Sequence, residues 1–549
     1  MYRPILTITT LTTLLLSLAP WARQSAWAAI DCTQPAIQSI APADTTIVSA
    51  TPVAAPAYCN IFGYVTTPGP NQVNFQLGLP TAWNGRFLFL GNGGFAGSLF
   101  SPVLPIVAGV SVGVATALTD TGHQSPSVLD ASWALNNLVK QDDFLVRAVH
   151  VSTVASKAII QGFYGGLGTS LFYGCSTGGR QALVQAQQYP EDFDGIVAVA
   201  PVLGNNFAGY NWNMRHLTVS PESYLPPDKL ALVDAAVLES CDGRDGVIDG
   251  LIQDPRNCTF NPEKLRCKHG NTTDCLTKEQ VKLVKAIYAG ASTEDGEQIY
   301  AGFTKSDPAG PNGWARWITG FQLPNALGTA QPWVSPVVPP LQFIFQDQFL
   351  KYFVFSDPNY NSLTFDLNNE DDRIQLAEVI DRGGAAATNP DLSAFINRGG
   401  KLLLYHGWSD PAISPLETVR YYKNVVETLG GGFERTQESA RLFMVPGMQH
   451  CLGSGPGPNV FNPAAPVVSW VLTGMAPEQI IAAHYQNNDP TTGIVTRTMP
   501  LCPYPEVAVF TGGNATWQPT GPASVMPTNP LRSARRSSGK LRLRRSNRH

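Results

Sequence analysis

Five consecutive residues, Gly174-Cys175-Ser176-Thr177-Gly178, set a serine in the pattern G-x-S-x-G. Flanking glycines permit a strained turn that lifts a serine hydroxyl above a sheet, with the following helix N-terminus presenting backbone N–H groups to an oxyanion. A serine hydroxyl is a weak nucleophile at neutral pH and needs a base held by a carboxylate. Where this turn is used, the chain order is Ser, then Asp or Glu, then His, with acid and base each on a loop after a strand. Asp410, in His406-Gly407-Trp408-Ser409-Asp410-Pro411, and His450, in Pro446-Gly447-Met448-Gln449-His450, fit that order. Among the eight histidines, His406 is the competitor for the base. It stands four residues from Asp410 at a strand end, where bonding to backbone is the expected role.

Cys175 immediately precedes the candidate nucleophile and Cys451 immediately follows the candidate base. A bridge between them would pin Ser176 beside His450, and the loop-closure entropy of so long a loop is worth roughly 5–6 kcal/mol. The oxyanion hole is expected to combine the backbone N–H of Thr177 with one from the glycine turn Gly93-Gly94, Gly94 being favoured over Gly93.

The elements that must hold these residues follow from the apolar pattern. Arg86–Leu90 reads as a buried strand ending in Gly91-Asn92-Gly93-Gly94, and the Val-rich segment Gly109–Ala117 as a second. A helix is predicted over about Asp142–Gly162, a strand over Ser170–Gly174, a helix over Gly179–Gln188 and a strand over Gly195–Ala200. Strand, helix and strand at that spacing make a parallel βαβ unit. After Pro201 the alternation stops, and it resumes with a strand at Lys401–Tyr405, a helix at Ser414–Leu429, a strand at Arg441–Val445 and a last helix at Pro463–Thr473. The expected fold class is α/β, an α/β-hydrolase fold with a doubly wound, mostly parallel sheet. Residues 29–203 and 398–515 are expected to form the catalytic domain, and about 190 residues, 204–397, an insertion within it. Such an insertion lies over the carboxyl ends of the strands, where open α/β sheets bind ligands.

The 549 residues suggest two domains or one with a large insertion, and 44% apolar with 14% charged residues describes a globular chain. Residues 1–28 read as an export signal: Arg3, an apolar run from Ile5 to Leu18, then Ala26-Trp27-Ala28. That run is too short to span a bilayer, so a secreted protein with no membrane contact after cleavage is expected. The net charge of −4 combines +8 in residues 531–549 with −12 elsewhere. The tail, 516–549, reads as a disordered basic end, with no nucleic-acid partner. Nine cysteines in an exported chain imply disulfides with one left over. Near-neighbour pairings are Cys32–Cys59, Cys241–Cys258 and Cys267–Cys275. Zinc, with His269 as a ligand, is disfavoured because no C-x₂-C pair occurs there.

Together these residues resemble the tannase and feruloyl esterase family, which includes a mono(2-hydroxyethyl) terephthalate hydrolase. Its marks are a Cys-Ser pair, an Asp and a His-Cys pair with the two cysteines bridged: here Cys175-Ser176, Asp410 and His450-Cys451. The likeness extends to Trp83-Asn84-Gly85-Arg86-Phe87, Gly91-Asn92-Gly93-Gly94, Asp143-Phe144, Arg147-Ala148-Val149-His150 and Tyr405-His406-Gly407. It implies a secreted serine ester hydrolase acting on a small aromatic ester, hydroxycinnamoyl (feruloyl) or galloyl, free or attached to plant cell-wall polysaccharide or tannin. A polyphenol- or carbohydrate-binding protein with a dead hydrolase fold is the alternative of a different class. The resemblance further implies that the insertion 204–397 is a lid over the site, carrying a structural Ca²⁺ on Asp242, Asp245, Val247, Asp249 and Leu251, and that there is no catalytic cofactor. Several carboxylate and carbonyl oxygens on a short Gly-rich loop suit a hard cation, although Arg256 stands where an EF-hand would need its Glu. Rings of the insertion, among them Phe207, Tyr210, Trp212, Trp314, Trp317 and Trp333, suit either stacking on such a substrate or an ordinary core of the insertion. Ser98 stands where some family members have a cysteine, and Cys502 is expected to be unpaired.

Overall fold

The structure, a computed structural model, describes residues 30–268, 273–451, 453–510 and 517–519. The expected export signal, His269 and most of the basic tail lie outside the described residues.

A nine-stranded sheet carries the molecule. Its first three strands, β1 (Thr45–Ala54), β2 (Ala57–Thr67) and β3 (Asn71–Pro80), pair antiparallel. Then come β4 (Arg86–Leu90), β5 (Ala115–Thr119), β6 (Thr169–Cys175) and β7 (Gly195–Val199). A separate hairpin, β8 (Gly290–Ser292) with β9 (Gln298–Ala301), interrupts the series. The sheet resumes with β10 (Lys401–Gly407) and β11 (Ala440–Val445). The spatial order is β1-β2-β3-β5-β4-β6-β7-β10-β11, and every pair from β5 through β11 is parallel. Both faces are covered, which is why the parallel strands read as unbroken apolar runs. Phe87, Phe89, Leu402 and Leu404 enter one core layer, while Leu88, Leu90, Leu403 and Tyr405 enter the other.

Helices α1 (Ala148–Tyr164) and α2 (Thr177–Gln188) flank β6 in sequence. The insertion that follows β7 is mainly helical: α3 (Asn206–Thr218), α4 (Pro227–Cys241), α5 (Lys278–Ala289), α6 (Leu341–Phe349) and α7 (Glu370–Ile380). It has its own core, including Met214, Val233, Leu283, Trp314, Trp333 and Phe343, and is stapled by Cys241–Cys258 and Cys267–Cys275. Beyond it α8 (Pro415–Leu429) and α9 (Ala464–Thr473) close the sheet. Proline at the first turn of α8 loses no hydrogen bond, since that N–H has no intrahelical partner in any case.

Three expectations need correction. The Gly109–Ala117 strand is misplaced: Ile106–Ser111 is a short helix and the strand is Ala115–Thr119. A Cβ on Gly109 would sit 2.0 Å from Thr116 Oγ1, so this glycine serves a helix packed close on the strand. The antiparallel β1–β3 was not anticipated, although buried Val73, Phe75, Leu77 and Leu79 alternate with period two. The tail begins later than 516, because Trp517–Pro519 pairs with Ala508–Phe510. Among the described residues, no helix is long and apolar enough to cross a membrane.

Candidate active site

Ser176 sits between β6 and α2 with φ 64° and ψ −120°, a conformation that L side chains rarely adopt. The tight turn exists because three glycines touch. A Cβ on Gly174 would lie 2.5 Å from Gly178 O, and one on Gly178 would lie 2.9 Å from Asn92 O. One on Gly91 would lie 2.8 Å from Gly178 Cα. The glycine loop after β4 is therefore pressed against the elbow. Thr177 Oγ1 donates to Gly94 O (2.7 Å), and Gln181 Oε1 accepts from Asn92 N (3.0 Å). Gly94 has φ 54°, and a Cβ there would fall 2.4 Å from Val128 O. Thr177 opens α2, so its N–H has no intrahelical acceptor, and among the described residues neither the Gly93 nor the Gly94 N–H has a partner.

Asp410 and His450 come together as expected. His450 Nδ1 lies 2.7 Å from Asp410 Oδ2, and the N–H groups of Ala412 and Ile413 donate to Asp410 Oδ1 at 2.8 and 3.0 Å. The carboxylate is buried. Burial alone would raise its pKa, but the charge of His450 and hydrogen bonds from His406 and His450 outweigh it and hold Asp410 well below the usual carboxylate range. The acid and base loops touch backbone to backbone: a Cβ on Gly407 would lie 2.1 Å from Met448 O.

All four pairings expected of the cysteines form. Cys175–Cys451 has its Cα atoms 6.0 Å apart across a separation of 276 residues, and Cys32–Cys59 ties the N-terminal segment to β2. A ring nitrogen of His450 lies within 4.8 Å of both sulfurs of the Cys175–Cys451 bridge, so the imidazole rests over it. The Ser176 hydroxyl and the imidazole are not hydrogen-bonded to each other in this state. Such contacts are often long before substrate arrives. Cys502 is unpaired and buried, its thiol pushed up to about 12 by burial, so it is an inert core residue.

His406 departs from expectation. It is fully buried, and instead of backbone it meets Thr418 Oγ1 (2.8 Å, from Nδ1) and Asp410 Oδ2 (3.1 Å, from Nε2).

Ser176 and Thr177 open onto a ring-lined cavity. Phe95, Phe144, Phe207, Trp317, Phe345 and Phe349 supply its rings, and Tyr210, Asn206 and Arg180 its polar groups. Trp317 also stands edge-on to His450, ring centroids 5.1 Å apart. Asn206 lines the cavity, and among the described residues its buried Nδ2 has no partner. Of the insertion's rings that suit stacking on substrate, Phe207, Tyr210 and Trp317 line the cavity. Trp314 and Trp333 belong to the insertion's own core, and Trp212 lines a different groove. Phe95, Phe144, Phe345, Phe349 and Arg180 were missed. Phe345 and Phe349 share α6, while Phe95, Phe144 and Arg180 each come from another segment, so no single stretch of sequence displays the set.

The acidic loop of the insertion offers a fit to a hard cation in its donors. Asp242 accepts from Asp249 N and Gly250 N, Asp245 Oδ1 accepts from Val247 N, and among the described residues the buried Asp245 Oδ2 has no partner. Burial, then Asp249 and Asp242, push the Asp245 carboxyl up to about 6, and burial also raises Asp249 despite Arg497 at 3.2 Å. These are the signs of negative groups short of a counter-charge, although among the described residues their oxygens do not gather within 4.8 Å of one another. Leu251 is buried against Met499 and Cys502, which anchors the end of the loop.

The sequence profile of the family described as tannase and feruloyl esterase matches residues 59–518. The chain belongs to the tannase and feruloyl esterase family. It is 35% identical over 499 residues to an uncharacterized esterase of Xanthomonas campestris, covering 84% of this chain and 83% of the relative. It is 32% identical over 526 residues to mono(2-hydroxyethyl) terephthalate hydrolase of Piscinibacter sakaiensis, covering 85% of each. The crystal structure of feruloyl esterase B from Aspergillus oryzae superposes with a TM-score of 0.76 at 27% identity, covering 88% of this chain and 98% of that one. This tannase-family protein is accordingly a carboxylic ester hydrolase with the α/β-hydrolase fold.

Proposed function

We propose that this esterase cleaves esters of aromatic acids, hydroxycinnamoyl (feruloyl-type) esters first among them, through an acyl-enzyme on Ser176. One arrangement carries the reading: an imidazole bonded to a buried carboxylate and tied by the Cys175–Cys451 bridge to the residue before a strained serine, at the mouth of a ring-lined cavity. His450 takes the Ser176 proton as the hydroxyl attacks the ester carbonyl, and Asp410 holds the imidazole in the Nδ1–H tautomer and stabilises the imidazolium. The N–H groups of Thr177 and Gly94 face the oxyanion, with Gly93 the alternative to Gly94. The alcohol leaves with the proton from His450, and water releases the acid by the same steps in reverse roles.

The cavity supports a flat aromatic acyl group, because rings on several sides favour stacked and edge-on contact. Asn206 Nδ2 would complete its hydrogen bonding on an oxygen of that group. Two of the three relatives named above bear the names feruloyl esterase B and mono(2-hydroxyethyl) terephthalate hydrolase, which supports an aromatic acyl group. Galloyl esters remain the second substrate class. Residues 204–397 act as the lid, residues 1–28 as an export signal, and the product of their removal as a secreted enzyme.

Rates for wild type and Ser176→Ala on methyl ferulate, methyl caffeate, methyl gallate and mono(2-hydroxyethyl) terephthalate test this. Hydroxycinnamates should be the fastest, and Ser176→Ala should lose at least about 10⁴-fold on every ester while staying folded. Wild-type-like turnover by Ser176→Ala would end the proposal, and a gallate rate above the others would reassign the acyl group.

The metal expected in the lid is proposed as structural Ca²⁺ on Asp242, Asp245 and Asp249 with backbone oxygens of Val247 and Leu251. A bound dication would supply charge compensation to the loop and no chemistry to the ester. Chelation by EDTA should lower Tm by about 5 °C, reversed by Ca²⁺, with kcat/KM at 25 °C unchanged. A Tm indifferent to both additions sinks the site.

A further inference from the structure

We propose that His406 is a positioning residue of the catalytic apparatus, a neutral N–H donor fixed by Thr418 that shares Asp410 Oδ2 with His450 and so sets the basicity of that carboxylate. The inference rests on the triad proposed above and adds two residues to it. His406 lies on β10 and Thr418 on α8, both fully buried. Thr418 Oγ1 is 2.8 Å from His406 Nδ1, and His406 Nε2 is 3.1 Å from the carboxylate oxygen that His450 Nδ1 meets at 2.7 Å. A carboxylate has only acceptors, so the ring atom facing Asp410 must be N–H. With Thr418 donating its hydroxyl proton to Nδ1, the ring is the neutral Nε2–H tautomer and both ring nitrogens of His406 have partners. A neutral imidazole here leaves one negative charge opposite one histidine, His450, that can gain a proton.

The consequence is electrostatic. Each donor on a carboxylate disperses its charge and weakens its hold on the others. Four N–H groups reach Asp410: two from the Ala412 and Ile413 backbone on Oδ1, and the two imidazoles on Oδ2. His406 thus moderates the attraction of Asp410 for the His450 imidazolium and keeps the base deprotonated to lower pH. Other titratable groups around this point are constant across His406 variants. Tyr210 on α3 and Tyr300 on β9 interact with Asp410 and are raised by burial, so they stay neutral. Glu417 on α8 is raised by burial and bonded to Arg420 and the Ala301 N–H. Asp307 is bonded to Gln449 beside the base and pushed up to about 8 by burial and by Asp234.

The test compares His406→Leu with His406→Gln, whose side-chain amide can restore a donor near the Nε2 position. His406→Leu should lower kcat about tenfold with KM within about threefold, and move the acidic limb of the kcat/KM profile up by about half a pH unit or more. His406→Gln should return the limb to its wild-type position. A limb unmoved in His406→Leu, with only Tm lowered, makes His406 structural and overturns the proposal. If neither variant folds, ¹⁵N-histidine spectra of the wild-type enzyme decide: neutral Nε2–H at His406 supports it, and an imidazolium or Nδ1–H ring overturns it. Ser176→Ala separates the two layers, since its inactivity together with an unmoved limb refutes the role of His406 alone.

Discussion

Asp410→Asn is expected to lower kcat by about 10⁴-fold while leaving a folded enzyme, the scale seen when the acid of a Ser-His-Asp triad becomes an amide. The hydrogen bonds of this site dictate how the amide must lie. The Oδ1 position accepts from Ala412 N and Ile413 N, so the asparagine carbonyl is held there and its NH₂ occupies the Oδ2 position. That NH₂ then faces the two imidazole nitrogens at which Asp410 accepted. Both rings can adapt by exchanging tautomers: His406 then donates from Nδ1 to Thr418, and His450 carries its proton on Nε2. The fold survives because no donor is stranded, and activity is lost because the nitrogen meant to receive the serine proton is occupied. Tm within a few degrees of wild type and kcat measured on methyl ferulate check this. A kcat within tenfold of wild type would remove Asp410 from the triad.

Removing the bridge with the double variant Cys175→Ala/Cys451→Ala should reduce kcat about 10²-fold, a larger effect than its loss of stability would suggest. Loop-closure entropy sets an upper bound of roughly 5–6 kcal/mol for a crosslink of this span, and native disulfides typically deliver 2–5 kcal/mol. In a chain of this size that moves Tm by several degrees only. The catalytic effect is larger because the bridged residues are the immediate neighbours of Ser176 and His450, so a shift of about 1 Å between β6 and the base loop falls directly on proton transfer. Assayed well below Tm, the variant should retain the His450–Asp410 unit and lose alignment with the serine. Unchanged kcat with lowered Tm would reduce the bridge to a staple.

Much of this site was legible in the sequence because its parts are local signals. The elbow is five contiguous residues, the strands carrying acid and base are apolar runs, and both cysteines of the bridge adjoin the residues that they align. The parallel strands were found because burial on both faces leaves no polar residue to confuse the pattern, as in Leu402–Tyr405. What escaped depends on three-dimensional meeting. His406 was assigned a backbone partner because nothing in the chain near it shows that α8 turns Thr418 toward its ring. The cavity rings Phe95, Phe144, Phe345 and Phe349 come from three separate stretches, the last two sharing α6, whereas Trp314 and Trp333, conspicuous by composition, are consumed by the insertion's own core. The end of the short helix Ile106–Ser111, from Gly109 on, was read as strand because a short apolar run does not by itself distinguish helix from strand.

Two non-glycine residues in the left-handed region, Ser176 at φ 64° and Cys451 at φ 63°, adjoin or form the ends of one covalent link. Each backbone distortion costs of order 1–3 kcal/mol and persists only because surrounding structure over-determines it. Glycine would relieve the first, so position 176 sets reactivity against robustness. A copy of this gene released from the need to turn over substrate, and retained only for expression or binding, would drift toward glycine at the elbow. Serine at position 176 is thus held by the chemistry it performs and not by the backbone it must adopt.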